Sequence, residues 1–219
     1  MIQVLNNFRK PSLQEKIVNE INEAYNDVLK VLPQLPKVLN IWFNTEYGSE
    51  IIFESGIGGH AHTKNTMTIA YDEDFGGDEA LRSKEFRALV FHEAYHMVHG
   101  WVFEGSEWED KQATALEQAF YEGAAEVFAR EYSGFSASKI SDYSNLGNLK
   151  DLLKEVAELG YDFNWEEWKF FHPKKGQGWI LYRVGAYMID QYLAKNKGKT
   201  IMDILNMRAE DVASDLGLI

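Results

Sequence analysis

The sequence predicts an α+β fold, with a small mixed sheet in its first third, one long helix after the sheet, and a mostly helical remainder. Three observations carry that expectation. Runs rich in strand formers occur at residues 38–44 and 60–71. Helix-period apolar patterns flank them, at 11–32 and 78–101. Beyond residue 107 the patterned stretches are nearly all helical. At 219 residues, with 45% hydrophobic and 26% charged content, the chain is ordinary for a globular protein. It is expected to form one domain over 1–219, with a cleft between an N-terminal α+β half and a helical C-terminal half.

Taken in order, IQVLNNF has the composition of an edge strand. Pro11-Ser12 opens an amphipathic helix to about Leu32, with Ile17, Ile21, Tyr25, Val28 and Val31 on one face, and Pro33 and Pro36 end it. Val38 to Asn44 reads as a buried strand, and Gly48 to Gly59 as a short apolar piece, IIFES, followed by a Gly-rich turn. His60 to Tyr71 reads as one strand with a polar face, the pattern of a sheet edge where a second chain can pair. Gly76-Gly77-Asp78 leads into the long helix, expected from about Asp78 to Trp101.

Ser106 and Glu109 have the S-x-x-E form of a capping box, so a second helix is expected from near Glu107 to about Tyr132. Ser133 to Asn148 reads as a loop, a connector in preference to a substrate lid, and Asn148 as the cap of a helix stopped by Gly160. Asp162 to Trp179 is crowded with aromatic residues, which are core more often than pocket wall. A helix from about Gly178 to Ala194 carries Tyr182, Gly185, Ile189 and Leu193 near one face, and Thr200 begins a further short helix.

Phe91 to Gly100 reads FHEAYHMVHG and contains H-E-x-x-H. On an α-helix, positions i and i+4 share a face about 6 Å apart along the axis, so His92 and His96 can converge on one metal ion. Glu93 points slightly off that face, where a carboxylate can take a proton from an attacking water. A solvated polar face would require polar neighbours. Instead Leu89, Val90, Phe91, Tyr95, Met97, Val98, Trp101 and Val102 make the helix apolar nearly all round, and buried His and Glu need a partner.

Two histidines do not complete a catalytic zinc site, which has three protein ligands. His99 would have to reach about 10 Å along the axis from His92, a poor geometry for one straight helix. The segment YEGAAEVFARE offers Glu122 and Glu126 one turn apart on a second helical stretch. The small residues Ala115, Ala119 and Gly123 form a stripe expected to let that helix approach the first closely. Glu122 is therefore the expected third ligand, and Glu126 a carboxylate steadying a ligand imidazole. His60 and His62 lie on one strand face, where a second metal site is conceivable, but H-x-H alone is weak and ordinary strand residues are the simpler reading.

HEAYH with EGAAE resembles the gluzincins, zinc metallopeptidases that pair HExxH with a Glu from a following helix. More narrowly, the order GGHAHTKNTMTIAYD, HEAYH, EGAAE and GWILYRVGAYMIDQYL, over roughly residues 55–195, resembles a family of bacterial zinc-dependent proteases. The resemblance implies a zincin-like fold and an edge strand that aligns the substrate. It also implies a zinc ligand at Glu122 and a supporting carboxylate at Glu126. It further implies an oxyanion-stabilising donor in the C-terminal half, for which Tyr182 and His172 are the candidates.

The expected activity is peptide-bond hydrolysis with Zn2+ on His92, His96 and Glu122 and with Glu93 as general base. A zinc hydrolase of a non-peptide amide or ester, and an idle metallopeptidase-like binding module, are the alternatives. Glu93 argues against the second, because a structural zinc site has no use for it. A net charge of −12 disfavours a nucleic-acid partner. No long uncharged apolar run predicts a membrane span. The start lacks the order of a signal peptide, and the absence of cysteine fits a cytoplasmic protein.

Overall fold

Pro11 stands at the first turn of α1 (Pro11–Val31), where its missing N–H costs nothing, and Ile17, Ile21, Ala24, Tyr25 and Val28 line the buried face. In this computed structural model residues 1–5, 10–44, 55–102, 113–135 and 140–219 are described. Tyr25 donates its hydroxyl proton to the Pro36 carbonyl at 2.8 Å, which fastens the proline turn after α1. The chain is α+β, as its sequence predicts, and divides into two compact units: Met1–Glu109 with Tyr132–Phe135, and Asp110–Glu131 with Ser136–Ile219.

The first unit holds a four-stranded mixed sheet in the order β1 (Ile2–Val4), β2 (Leu39–Asn44), β4 (Thr66–Tyr71), β3 (Ile57–Thr63). β1 and β4 run parallel to β2, and β3 returns antiparallel to β4. The segment from His60 to Tyr71 is thus a hairpin rather than one strand: Lys64 and Asn65 turn the chain, with the Asn65 N–H donating to Thr63 Oγ1 at 3.1 Å. Among the described residues β3 stands at the edge of the sheet and β4 is internal. Gly58 and Gly59 belong to β3 and not to a turn. A Cβ at Gly59 would lie 2.9 Å from Leu89 Cδ1, so the missing side chain lets the following helix seat on the strand.

β2 is not buried on both faces. Leu39, Ile41 and Phe43 point inward, whereas Trp42 is 54% exposed, so the sheet has one covered and one open face. The long helix α2 (Glu79–His99) packs on α1 and β3. Asp78 caps it by accepting from the Ala80 and Leu81 amides at 2.8 and 3.1 Å, and Gly100 ends it in the left-handed region at φ 84°. Arg82, 3% exposed, sits 3.6 Å from the Tyr71 ring centroid and donates to the Gly56 and Asp72 carbonyls, which fixes the loop leading into α2.

The second unit is built on α3 (Ala115–Ser133) and α6 (Ile180–Lys195). The Ser106 and Glu109 capping box falls outside the described residues. The described helix begins instead behind Thr114, whose N–H and hydroxyl donate to Glu117 Oε2 at 2.7 and 2.9 Å. Glu117 N–H donates back to Thr114 Oγ1 at 3.1 Å. The stripe of small residues also has a different partner from the one expected. Ala119 and Gly123 lie against Gly185 and Ala186 of α6, where a Cβ on Gly123 would come within 2.5 Å of Gly185 Cα. Asp190 of α6 accepts from Arg130 at 2.6 Å and from the Tyr143 hydroxyl at 2.7 Å, which ties α6 to α3 and to the connecting loop.

Around this pair stand α4 (Leu149–Glu158), α5 (Trp165–Lys169), a two-residue ribbon of β5 (Phe171–His172) and β6 (Gln177–Gly178), α7 (Ile201–Ile204) and α8 (Ala209–Asp215). Trp179 precedes α6 with φ 56°, a left-handed conformation unusual for a large residue. It is braced by edge contacts to Phe170 and Tyr182 at centroid distances of 5.5 and 5.6 Å. Among the described residues no helix is long and apolar enough to cross a membrane.

Candidate metal centre

The middle of α2 is buried without interruption from Val90 to Met97, so two imidazoles and a carboxylate are drawn out of water by the apolar residues between them. His92, Glu93 and His96 are 6%, 5% and 4% exposed. The i, i+4 spacing brings His92 Nε2 and His96 Nε2 to 2.9 Å, with ring centroids 4.6 Å apart and the planes at 80°. Two ring nitrogens so placed hold a proton or a cation between them, since their lone pairs otherwise repel. Glu122 of α3 is 6% exposed. His92, His96 and Glu122 each offer one ligand atom, and these atoms all lie within 4.8 Å of one another.

Over residues 17–214 the chain matches the family described as "Predicted Zn-dependent protease (DUF2268)". It belongs to this family. No curated protein and no solved structure matches it.

The zinc in the family's description fits the donor set. Imidazole nitrogen and carboxylate oxygen suit Zn2+, and zinc–nitrogen bonds of about 2.0–2.1 Å at a tetrahedral angle separate two nitrogens by roughly 3.3 Å, close to the distance here. A cation bridging three buried donors would also give each of them a partner. Several divalent metals accept such ligands, and zinc is the one that the family's description carries.

Glu93 is held from outside its own helix. Its Oε2 accepts the Ala61 N–H of β3 at 2.7 Å in a buried, charge-assisted hydrogen bond. That hydrogen bond occupies the Ala61 N–H of β3. No sequence pattern announced this bond, because the two residues meet only when β3 lies along α2.

The remaining candidates separate. His99 is half-buried and edge-on to Tyr95 at 5.3 Å, and the metal-capable group does not include it. His60 and His62 stand 5.0 Å apart on β3, with His62 Nε2 2.5 Å from Thr68 Oγ1, and among the described residues they join no group of three metal-capable side chains. Glu126 is half-buried. His172, 8% exposed, packs edge-on to Trp168 at 4.9 Å. Tyr182, also 8% exposed, has Lys169 Nζ 5.6 Å from its ring centroid. Lys169 in turn lies 3.8 Å from Glu122 Oε1. Lys169 was not a candidate from sequence, and its only signal was a cation set among aromatics in WEEWKFF.

Proposed function

We propose that this chain is a gluzincin-type zinc metallopeptidase that hydrolyses peptide bonds, with His92, His96 and Glu122 as metal ligands and Glu93 as general base. The observation that carries the reading is the convergence of three buried donors within 4.8 Å of one another, two from the turn of α2 that also bears the buried Glu93 and one from α3. Zinc at such a site supplies a Lewis acid that polarises a carbonyl and makes water more acidic.

The chain's own residues do the rest. Glu93 accepts the proton of the attacking water and passes it to the leaving amine. The Ala61 amide anchors one oxygen of Glu93, which leaves the other for proton transfer and fixes its direction. Glu126, one turn beyond Glu122, is assigned to steadying a ligand imidazole. Of the two oxyanion candidates, Tyr182 is preferred over His172, because Tyr182 shares the Lys169 cluster with Glu122. A chain without cysteine fits action in the cytoplasm on peptide or protein substrates.

The test is Glu93→Gln. It should keep zinc near one equivalent by elemental analysis while peptide hydrolysis falls by ~10⁴-fold or more. Loss of metal in this variant contradicts the base assignment, and full activity contradicts the mechanism. A wild type that cleaves small amides or esters but no peptide moves the reading to a non-peptide substrate.

A further inference from the structure

Lys169 ends α5 with its side chain turned inward, 16% exposed. Its Nζ lies 4.7 Å from the Trp165 ring centroid, 5.8 Å from Phe170 and 5.6 Å from Tyr182. The nearest carboxylate oxygen is Glu122 Oε1 at 3.8 Å. A charge-assisted hydrogen bond is about 2.7–2.9 Å long, so this is attraction between charges without a hydrogen bond. Among the described residues none accepts a hydrogen bond from Nζ. Aromatic faces stabilise the positive charge but leave three N–H donors unmet. An ammonium mostly removed from water, with spare donors and beside a metal-capable carboxylate, is built to receive an anionic oxygen that arrives during function.

We propose that Lys169 is a catalytic residue that holds the carbonyl oxygen of the scissile bond as it becomes negative. This rests on the reading of Glu122 as a metal ligand. In the first step the water oxygen bonds to the carbonyl carbon, the C=O π pair moves onto the carbonyl oxygen, and the water proton passes to Glu93. Lys169 Nζ donates to that oxygen while it carries the charge. In the second step the pair returns to re-form C=O, the C–N bond breaks, and Glu93 delivers its proton to the leaving nitrogen. A fixed cation in a water-poor site acts on charge that exists only in the transition state, so it raises turnover more than substrate affinity. Tyr182, with Lys169 Nζ 5.6 Å from its ring centroid, keeps the ammonium in place and remains the neutral donor to the same oxygen beside it.

The competing explanation is that Lys169 only holds Glu122 in position for the metal. The two differ in sign at the metal. A positioning lysine strengthens metal binding, whereas a cation reserved for the substrate weakens it slightly by repulsion.

The full chain is loaded with Co2+ and titrated with inorganic phosphate, read from the visible cobalt bands, alongside chelator competition for the metal. Lys169→Met should weaken phosphate at least tenfold with cobalt affinity equal to or above wild type, and Lys169→Arg should recover most of the phosphate affinity. Where a peptide substrate is in hand, kcat should fall about 10²–10³-fold in Lys169→Met with KM nearly unchanged. Unchanged phosphate affinity in Lys169→Met overturns the proposal, and so does cobalt affinity that falls by the same factor as phosphate affinity. Wild type that takes up no cobalt removes the metal reading and the proposal together. Phosphate results as expected in a protein that cleaves no peptide leave Lys169 as the anion site and remove only the peptidase reading.

Discussion

Gly123→Ala tests the packing that sets the position of Glu122. The added methyl would come within 2.5 Å of Gly185 Cα on α6, where ordinary contact begins near 3.4 Å. α3 and α6 must therefore separate by at least roughly 0.9 Å, and since the obstacle is backbone, no rotamer change relieves it. Overpacking of this kind costs about 1–3 kcal/mol, and a rigid backbone obstacle belongs at the upper end. Glu122 is the neighbouring residue, and a shift of this size exceeds the few tenths of an ångström a metal–ligand bond tolerates.

The expected result is a lower urea midpoint for the metal-free variant together with zinc affinity reduced tenfold or more in chelator competition. Gly147→Ala is the control, because a Cβ there meets nothing within 4 Å. It should leave both measurements near wild type. If Gly123→Ala matches that control, α3 and α6 do not meet backbone to backbone, and the account of how Glu122 is placed is wrong.

Glu122→Ala should empty the site at chelator concentrations that leave wild type loaded, whereas Glu126→Ala should weaken zinc by only about 10–100-fold. His99→Ala should do neither, and the reverse order of the two Glu effects moves the ligand by one turn. Stability should also fall at alkaline pH. Burial pushes the Tyr143 phenol up to about 12, with its hydrogen bond to Asp190 adding to the shift, and burial pushes Tyr71 up to about 12 as well. The unfolded chain loses these protons near pH ~10 while the folded chain keeps them, so stability present below pH ~10 is lost as pH rises towards 12. Tyr143→Phe should flatten that fall in urea midpoints between pH 9 and 12, and an unchanged slope refutes Tyr143 as a contributor.

What the sequence alone determined is local. H-E-x-x-H inside an apolar run requires a buried helix with two imidazoles on one face, because helical periodicity and the cost of burying polar groups leave no other arrangement. Caps and stops are local as well. Asp78, Gly160 and Thr200 sit at helix boundaries because they satisfy or end a helix by their own chemistry, whereas Asn148 precedes α4 without a side-chain cap on its backbone. Thr114 with Glu117 carries the same S/T-x-x-E form as Ser106 with Glu109, which lies outside the described residues, and it caps α3.

Tertiary structure decided the pairings. Periodicity states that Ala119 and Gly123 want a close neighbour, but it does not say which helix supplies it, and that helix is α6. Alternation suits one long strand at His60–Tyr71 as well as a hairpin, until pairing of Ala61 with Met67 folds it back. Lys169 acquires meaning only beside Glu122, and Glu93 its second anchor only beside Ala61, since a hydrogen bond or charge contact across 47 or 32 residues leaves no trace in local pattern.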